Sequence, residues 1–214
     1  MAILQPYARS VLPELATRMR ACLDAGHIVA VPTETYYGLA VDPFDHGAVE
    51  RLLALKEREG RKPLLVLIGE REQLSRLTYE VSPTAALLMD AFWPGPLTIL
   101  FPAHPALPKN LTAGSSKVGV RFSSSAELST LLRSIGPVTG TSANRAGMTP
   151  AQTAQEVMRT LGSELALIVD AGATPGGAPS TLVDPGEPAR LIREGAVSRQ
   201  MLQNVLQTRG IFLA

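Results

Sequence analysis

The sequence predicts a single α/β domain with a mixed parallel and antiparallel sheet, twisted and flanked by helices. Short apolar runs typical of buried strands recur along the 214 residues, and segments with helical spacing separate most of them. No internal repeat, low-complexity tract or linker divides the chain, so we expect one domain over residues 1–214. Hydrophobic residues make up 45% and charged residues 18%, a balance that excludes a disordered chain and a coiled coil.

Helical spacing and capping residues predict six helices. The spacing of Leu15, Met19 and Leu23 is typical of one buried helical face, and a glycine stop signal follows. Thr149 and Gln152 form the pattern of a capping box, with a proline at the first helical position between them. The predicted helices cover residues 12–24, a segment from the cap Asp45 to about 56, a segment from the cap Ser82 to about 91, 128–135, 150–161 and a last segment after the cap Ser198.

Eight apolar runs predict strands, and the last two are expected to pair through the turn DPGEP at 184–188. The segment 33–44 is rich in turn residues, and 172–179 is predicted to be a flexible loop. A connection rich in proline and glycine spans residues 102–117. The predicted strands are HIVAVP (27–32), LLVLI (64–68), LTILF (97–101), VGVRF (118–122), PVTGT (137–141), ALIVD (166–170), STLVD (180–184) and ARLIR (189–193).

Charge and cysteine content exclude several classes of protein. Twenty Lys and Arg against nineteen Asp and Glu leave a net charge of +1, which argues against a protein that coats nucleic acid by bulk electrostatics. The one cysteine, Cys22, excludes an intramolecular disulfide framework and a cysteine-rich zinc site, and its apolar neighbours predict a buried position. The sequence has no apolar run of about 18 residues and no secretory signal pattern. We therefore expect a cytoplasmic protein that does not enter a membrane.

Four polar segments lie at the ends of predicted strands, where α/β folds collect ligands. In the first, residues 32–39, the hydroxyls and the carboxylate could hold a small polar substrate, or the threonines could satisfy their own backbone in a turn. In the second, residues 56–63, four cations within seven residues suit a polyphosphate. The same cations are also typical of a solvated helix C-terminus. Both interpretations stay open for each segment.

The third and fourth segments pose the same choice between structure and ligand. Arg121 lies in an apolar strand, so its guanidinium needs a partner, which could be an internal carboxylate or the carboxylate of a ligand. Residues 139–144 combine small side chains and hydroxyls at a strand end, where backbone N–H groups could approach a phosphate or simply form a turn and a cap. This segment is not a Walker A loop.

Familiar catalytic templates are absent from the sequence. It contains no GxSxG and no HExxH, and its three histidines lack metal-ligand spacing. Without a nucleophile signature, the expected chemistry is substrate positioning and charge neutralisation. Nucleotidyl transfer, with Mg²⁺ arriving on the phosphates of ATP, is of this type.

Taken together, these segments resemble the YrdC family, the L-threonylcarbamoyladenylate synthases, in the short form without an additional C-terminal domain. The motifs that carry the resemblance occur in the family order: PTETYYGL, Lys-x-Arg with Lys-Pro-Leu, FWPGPLT, VGVR, TSAN, PSTLVD and LIREG. The resemblance implies a large concave cavity and a nucleotidyltransferase reaction. L-threonine, bicarbonate and ATP give threonylcarbamoyl-AMP and pyrophosphate. The product passes to the tRNA threonylcarbamoyl transferase complex for N6-threonylcarbamoylation of adenosine 37, with weak or no direct tRNA binding by this protein.

The resemblance also assigns residues to the two substrates. It implies L-threonine binding by Thr35, Arg121, Ser142 and Ser180, and ATP binding by Lys56, Arg58, Lys62, Asn144 and Arg193. It assigns no general base and no metal ligand from the protein. The sequence departs from the common family pattern at Tyr36, Leu67, Lys117, Ser123 and Gln152.

Two other functions remain possible from the sequence. One is a YrdC-like RNA-binding module that acts in tRNA or ribosome maturation without making the adenylate. The other is the related domain of the hydrogenase-maturation carbamoyltransferases, which uses carbamoyl phosphate. Threonine-dependent release of pyrophosphate from ATP distinguishes the synthase from both.

Overall fold

The computed structural model describes residues 2–57 and 63–214, and it confirms the predicted fold class. The described residues form ten strands and six α-helices, with two short 3-10 segments at Arg9–Val11 and Arg71–Arg76. The strands are β1 (Ile3–Pro6), β2 (Val29–Val31), β3 (Gly38–Ala40), β4 (Leu65–Ile68), β5 (Leu97–Pro102), β6 (Lys117–Phe122), β7 (Val138–Ser142), β8 (Leu167–Asp170), β9 (Thr181–Asp184) and β10 (Arg190–Arg193). The helices are α1 (Leu12–Asp24), α2 (His46–Leu55), α3 (Pro83–Phe92), α4 (Ala126–Ile135), α5 (Ala154–Leu161) and α6 (Arg199–Gln207).

The strands form one mixed sheet in the order β1-β8-β2-β3-β7-β4-β6-β5-β9-β10. Four pairs are parallel, namely β1 with β8, β2 with β8, β4 with β6 and β5 with β9. The remaining neighbours are antiparallel, including the predicted pair β9 and β10. The long connections between strands distant in sequence bring the first, third and fourth polar segments to the middle of the sheet.

Three predicted helix caps are confirmed. The carboxylate of Asp45 accepts a hydrogen bond from the backbone N–H of Ala48 at 3.0 Å, so α2 begins where the sequence placed it. The hydroxyls of Ser82 and Ser198 accept equivalent bonds at the starts of α3 and α6. Each cap satisfies an N–H group that the first turn of a helix leaves without a partner.

The predicted start of α5 is wrong. The helix begins at Ala154, and its capping box is formed by Thr153 and Glu156 rather than by Thr149 and Gln152. Tertiary hydrogen bonds explain the difference, because the backbone carbonyl of residue 151 accepts from Tyr37 and that of residue 152 accepts from residue 174. The segment before Thr153 is therefore held by other parts of the chain and is not free to form a first turn.

Two strands were missed by the sequence patterns. The segment 33–44 was predicted as turns, but its Gly38–Ala40 stretch forms β3 between β2 and β7. Ile3–Pro6 forms the edge strand β1 through parallel pairing with β8, which lies more than 160 residues away. Both strands are only three or four residues long, so no alternating pattern could develop.

Buried apolar side chains cover the two faces of the sheet unequally. One face, with Val66, Ile99 and Val120 among its residues, packs against α2, α3, α5 and α6. The opposite face is covered by α1 and α4 only around β2, β8 and part of β4. Cys22 of α1 is half-buried against this second cluster, and burial raises the pKa of its thiol. The rest of that face is left open, and it forms the cavity described below.

No helix among residues 2–57 and 63–214 is long and apolar enough to cross a bilayer.

Lys117 ties β6 to the hairpin of β9 and β10. Its ammonium donates to both carboxylate oxygens of Asp184, at 2.8 and 2.7 Å, and Asp184 is only 5% exposed. Burial alone would raise the pKa of Asp184, but the hydrogen bonds from Lys117 hold the pKa below its ordinary value. The departure from the family pattern at this position therefore has a structural partner.

Replacing Lys117 by methionine should destabilise the protein by about 1–2 kcal/mol at pH 7, because the buried carboxylate loses its main partner. A carboxyl group whose pKa is lowered by folding stabilises the folded state above its unfolded pKa, and this contribution is lost as the pH falls. The difference between the wild type and K117M should therefore begin to shrink near pH 3.8, the ordinary value for aspartate, and vanish only below the lowered pKa of Asp184 in the folded state. Urea unfolding at several pH values measures it, with Lys109→Met as an exposed control. A difference that persists unchanged at pH 3 would contradict the ion-pair explanation.

Candidate active site

A cavity of about 780 Å³ lies on the open part of the sheet face. Alternate residues of the central strands form its floor, because successive side chains of a strand point to opposite faces. The floor is contributed by Leu65 and Leu67 of β4, Thr98 and Leu100 of β5, and Arg121 of β6. Residues from the ends of β2, β7 and β9 form the walls.

Two glycines of the central strands leave room for the side chains that form the floor. A Cβ added to Gly140 would lie 2.7 Å from the Cγ of Leu67, closer than real atoms approach. A Cβ on Gly119 would meet the side chain of Thr98 at 3.3 Å. Leu67, one of the departures from the family pattern, therefore occupies the space that the glycine of β7 leaves free, and it gives the floor an apolar centre.

The segment after β2 contains two threonines with different roles. The hydroxyl of Thr33 donates to the backbone carbonyl of Tyr36 at 2.7 Å and accepts from the backbone N–H groups of Thr35 and Tyr36. The hydroxyl oxygens of Thr33 and Thr35 are 3.1 Å apart. Because the one proton of Thr33 is committed to Tyr36, the hydroxyl of Thr35 must be the donor of this pair. Thr33 thus holds the turn, while Thr35 lines the cavity with its lone pairs available as acceptors.

Arg121 presents a buried guanidinium to the cavity. Its side chain is 7% exposed, and its Nε lies 3.4 Å from Oε1 of Glu34, with no hydrogen bond from Nε to any described residue. Burial lowers the pKa of Arg121, the carboxylate of Glu34 opposes this shift, and the charge of Arg193 adds to it. One of the two partners considered from the sequence, an internal carboxylate, is present as Glu34. Its Oε1 accepts no hydrogen bond from the Nε of Arg121.

A second cationic side chain approaches the same wall. Arg193 of β10 donates from Nη2 to the backbone carbonyl of Ser180 at 2.8 Å, and the Ser180 hydroxyl lies 3.0 Å from that of Thr98. Both guanidiniums belong to residues that line the same cavity, and the charge of Arg193 contributes to the lowered pKa of Arg121. Such a pair of like charges in a partly apolar cavity favours an anionic ligand.

Hydrogen bonds from Lys56 hold the loop after β7 in place. Its buried ammonium, at the end of α2, donates to the backbone carbonyls of Ser142 and Asn144, at 2.8 and 2.5 Å, and to Oδ1 of Asn144 at 2.7 Å. The Ser142 hydroxyl donates to the same Oδ1 at 2.6 Å, and the amide Nδ2 of Asn144 donates to the carbonyl of Met148. Ser142 lines the cavity, whereas Lys56 and Asn144 are not among its described lining residues.

Two of the predicted ATP-binding residues, Arg58 and Lys62, lie outside the described residues. The structure therefore brings together Thr35, Arg121, Ser142, Ser180 and Arg193 around one cavity, and it places Lys56 and Asn144 behind the wall that Ser142 forms. Which ligand each side chain contacts remains a prediction.

The loop 172–179 is tied to the segment after β2. The backbone N–H of Gly176 donates to the carbonyl of Thr35 at 2.7 Å, and the phenol of Tyr36 donates to the carbonyl of Gly177 at 2.7 Å. A Cβ on Gly176 would fall 1.7 Å from Nε2 of Gln152, so this glycine permits the close approach. Of the departures from the family pattern, Tyr36 thus holds this loop by a hydrogen bond, and the side chain of Gln152 lies against it.

The described residues contain no group of three or more His, Cys, Asp and Glu side chains arranged to hold a metal ion.

The comparisons with known proteins identify the family and support the fold. A family model named Sua5_yciO_yrdC, with the description "Telomere recombination", matches residues 21–195. The chain belongs to the Sua5/YciO/YrdC family. A protein of Alkalilimnicola ehrlichii named threonylcarbamoyl-AMP synthase is 41% identical over 72% of this chain and 82% of its own length. A protein of the same name from Thiobacillus denitrificans is 37% identical over 78% of this chain and 88% of its own.

Among solved structures, that of Sua5 from P. abyssi complexed with L-threonine superposes on this chain with a TM-score of 0.87 and 30% identity. The match covers 100% of this chain and 62% of the Sua5 chain, so this family member spans under two thirds of that relative. The resemblance to the YrdC family stated from the sequence motifs is therefore confirmed.

Sequence reasoning missed one polar residue of the cavity and one contact beside it. Thr98 is a lone hydroxyl in the apolar strand β5, and its contact with Ser180 could have been suspected from the argument applied to Arg121. The carboxylate of Glu34 in the first polar segment was a candidate substrate ligand, but no local pattern indicated that β6 would bring Arg121 beside it.

Proposed function

We propose that this protein is a threonylcarbamoyl-AMP synthase, which converts L-threonine, bicarbonate and ATP to threonylcarbamoyl-AMP and pyrophosphate. The observation that carries the proposal is that five residues from separate segments, Thr35, Arg121, Ser142, Ser180 and Arg193, line one cavity. The names of the relatives and the threonine complex of Sua5 support the same activity.

In this proposal the threonine carboxylate binds to Arg121. A guanidinium with free donors in a buried position forms short charge-assisted bonds with a carboxylate. Thr35 accepts a hydrogen bond from the amino group, since its own proton is directed to Thr33. Ser142 and Ser180 lie at opposite walls and suit the hydroxyl and the backbone atoms of a small amino acid.

ATP occupies the cationic side of the cavity. Arg193 is within the described residues, and Arg58 and Lys62 are assigned to the phosphates by their motif. Lys56 and Asn144 act through the shape of the loop that carries Ser142. We propose that Mg²⁺ enters on the phosphates of ATP, where it offsets negative charge.

The chemistry needs orientation rather than a protein nucleophile. The threonine amine forms a bond to the carbon of bicarbonate, and hydroxide leaves with the amine proton as water, which gives a carbamate. A carbamate oxygen then attacks the α-phosphorus as the bond to the pyrophosphate oxygen breaks. Two anions must meet in this step, so nearby guanidiniums that offset their charge lower the barrier.

The product feeds N6-threonylcarbamoylation of adenosine 37 in tRNA, through a transferase complex that accepts the labile intermediate. This places the protein in the cytoplasm with tRNA and ATP. The net charge of +1 offers no bulk attraction for RNA, so we propose that this protein binds the polymer weakly or not at all.

Pyrophosphate release from ATP, with and without L-threonine and bicarbonate, tests the function. We expect release only when both are present. Release that ignores threonine would contradict the proposal. Activity with carbamoyl phosphate in place of bicarbonate would favour the carbamoyltransferase alternative. Salt-dependent binding of bare tRNA without threonine-dependent release would favour the RNA-binding alternative.

A further inference from the structure

The carboxylate of Glu34 lies between a serine and the guanidinium of Arg121. Its Oε2 accepts a hydrogen bond from the hydroxyl of Ser123, and its Oε1 lies 3.4 Å from Nε of Arg121. The side chains of Glu34 and Arg121 are 11% and 7% exposed, and Ser123 is completely buried. Glu34 and Ser123 are not among the described residues that line the cavity, whereas Arg121 is.

The direction of the serine hydrogen bond is fixed by its surroundings. The Ser123 hydroxyl accepts from the backbone N–H of Ser125 at 3.2 Å, and Ser125 is the N-cap of α4. The backbone carbonyl of Ser123 accepts from the hydroxyl of Ser129 at 2.8 Å. The hydroxyl of Ser123 has one proton. Since its oxygen accepts from the backbone N–H of Ser125, its proton is free to be donated to the carboxylate of Glu34. The start of α4 thereby holds the glutamate in one orientation.

Oε1 of Glu34 and Nε of Arg121 are both buried and form no hydrogen bond with any described residue. Their separation permits attraction between the charges without a directional bond. The guanidinium is consequently held near the carboxylate while its N–H groups remain available to a ligand in the cavity. The charge of Arg193 repels that of Arg121, so without Glu34 the buried guanidinium would lose the opposite charge that balances this repulsion.

We propose that Ser123 and Glu34 are positioning residues for Arg121, acting from outside the cavity to aim its guanidinium at the substrate carboxylate. This inference rests on the proposed function, because it takes that carboxylate as the ligand of Arg121. It assigns to the serine at position 123 a task that requires a hydroxyl group and not only a small side chain.

The test compares Ser123→Ala and Glu34→Gln with Ser134→Ala, which removes the hydroxyl of an exposed serine in the last turn of α4. We expect Ser123→Ala to raise the KM for L-threonine about 5-fold, and Glu34→Gln about 10-fold, since each removes one charge-assisted contact. The KM for ATP should stay within about 2-fold in both, and Ser134→Ala should leave both KM values unchanged. Calorimetric titration with L-threonine gives the affinity without turnover.

The outcomes separate this inference from the function on which it rests. A rise in the KM for threonine alone supports positioning, because a merely structural defect lowers the active fraction and the melting temperature without changing one KM selectively. Wild-type KM for threonine in Ser123→Ala, or equal rises for both substrates, would overturn the positioning role while leaving the synthase intact. If Ser123→Ala does not fold, Glu34→Gln decides by the same criteria. A wild-type protein without threonine-dependent pyrophosphate release would overturn the function and this inference together.

Discussion

Replacing Arg121 by alanine should lower kcat/KM for L-threonine by about 100-fold, equivalent to about 2.7 kcal/mol of lost binding energy. The guanidinium is the most deeply buried cation that lines the cavity among the described residues, and burial strengthens its attraction for a carboxylate. The KM for ATP should change by less than about 3-fold, since the proposed phosphate contacts come from other segments. Steady-state pyrophosphate release at varied threonine and ATP measures both quantities.

Two further variants make this expectation specific. Arg121→Lys keeps the charge but loses the planar fork, so we expect an intermediate loss of about 10-fold for threonine. Arg159→Ala removes an exposed arginine of α5 and should behave as the wild type. If Arg121→Ala bound threonine as the wild type does but unfolded more easily, Arg121 would be only the internal partner of Glu34.

The fold was largely predictable because most of its elements carry their own local signals. The strands β4, β5 and β6 are apolar runs whose consecutive residues are mostly buried, and the helices α2, α3 and α6 begin at caps visible in the sequence. The exceptions were elements fixed by distant partners. The start of α5 was displaced because hydrogen bonds from other segments hold the residues before it, and β3 formed where the sequence suggested turns.

The site was predictable in its residue types and less so in its contacts. The motif resemblance pointed to Thr35, Arg121 and Ser180, which all line the cavity. It could not show that the ammonium of Lys56 would turn toward carbonyls 86 and 88 residues away. Nor could it show that Glu34 would lie beside Arg121. Such contacts depend on how β6, β7 and α2 approach each other, which no local pattern encodes.

Replacing Lys56 by methionine should lower the melting temperature and the activity together. The ammonium donates to two backbone carbonyls and one amide oxygen of the loop after β7, and methionine would leave these three acceptors without that partner. We expect a destabilisation of about 3 kcal/mol, or about 6–12 °C in Tm for a chain of this size. Because Ser142 belongs to this loop and is assigned to L-threonine, kcat/KM for L-threonine should also fall by about 100-fold.

The joint loss distinguishes two roles for Lys56. A lysine that only contacts phosphate can be removed without lowering the Tm, because its removal only raises the KM for ATP. Removing a lysine that shapes the loop lowers the Tm in the absence of any substrate, and saturating ATP does not restore the rate.

Lys109→Met removes an exposed lysine of equal size and serves as the control. Thermal unfolding without ligands, combined with kinetics at varied ATP, separates the two. A wild-type Tm in K56M with a raised KM for ATP would assign Lys56 to the phosphates, whereas a lowered Tm assigns it to the loop that carries Ser142 and Asn144.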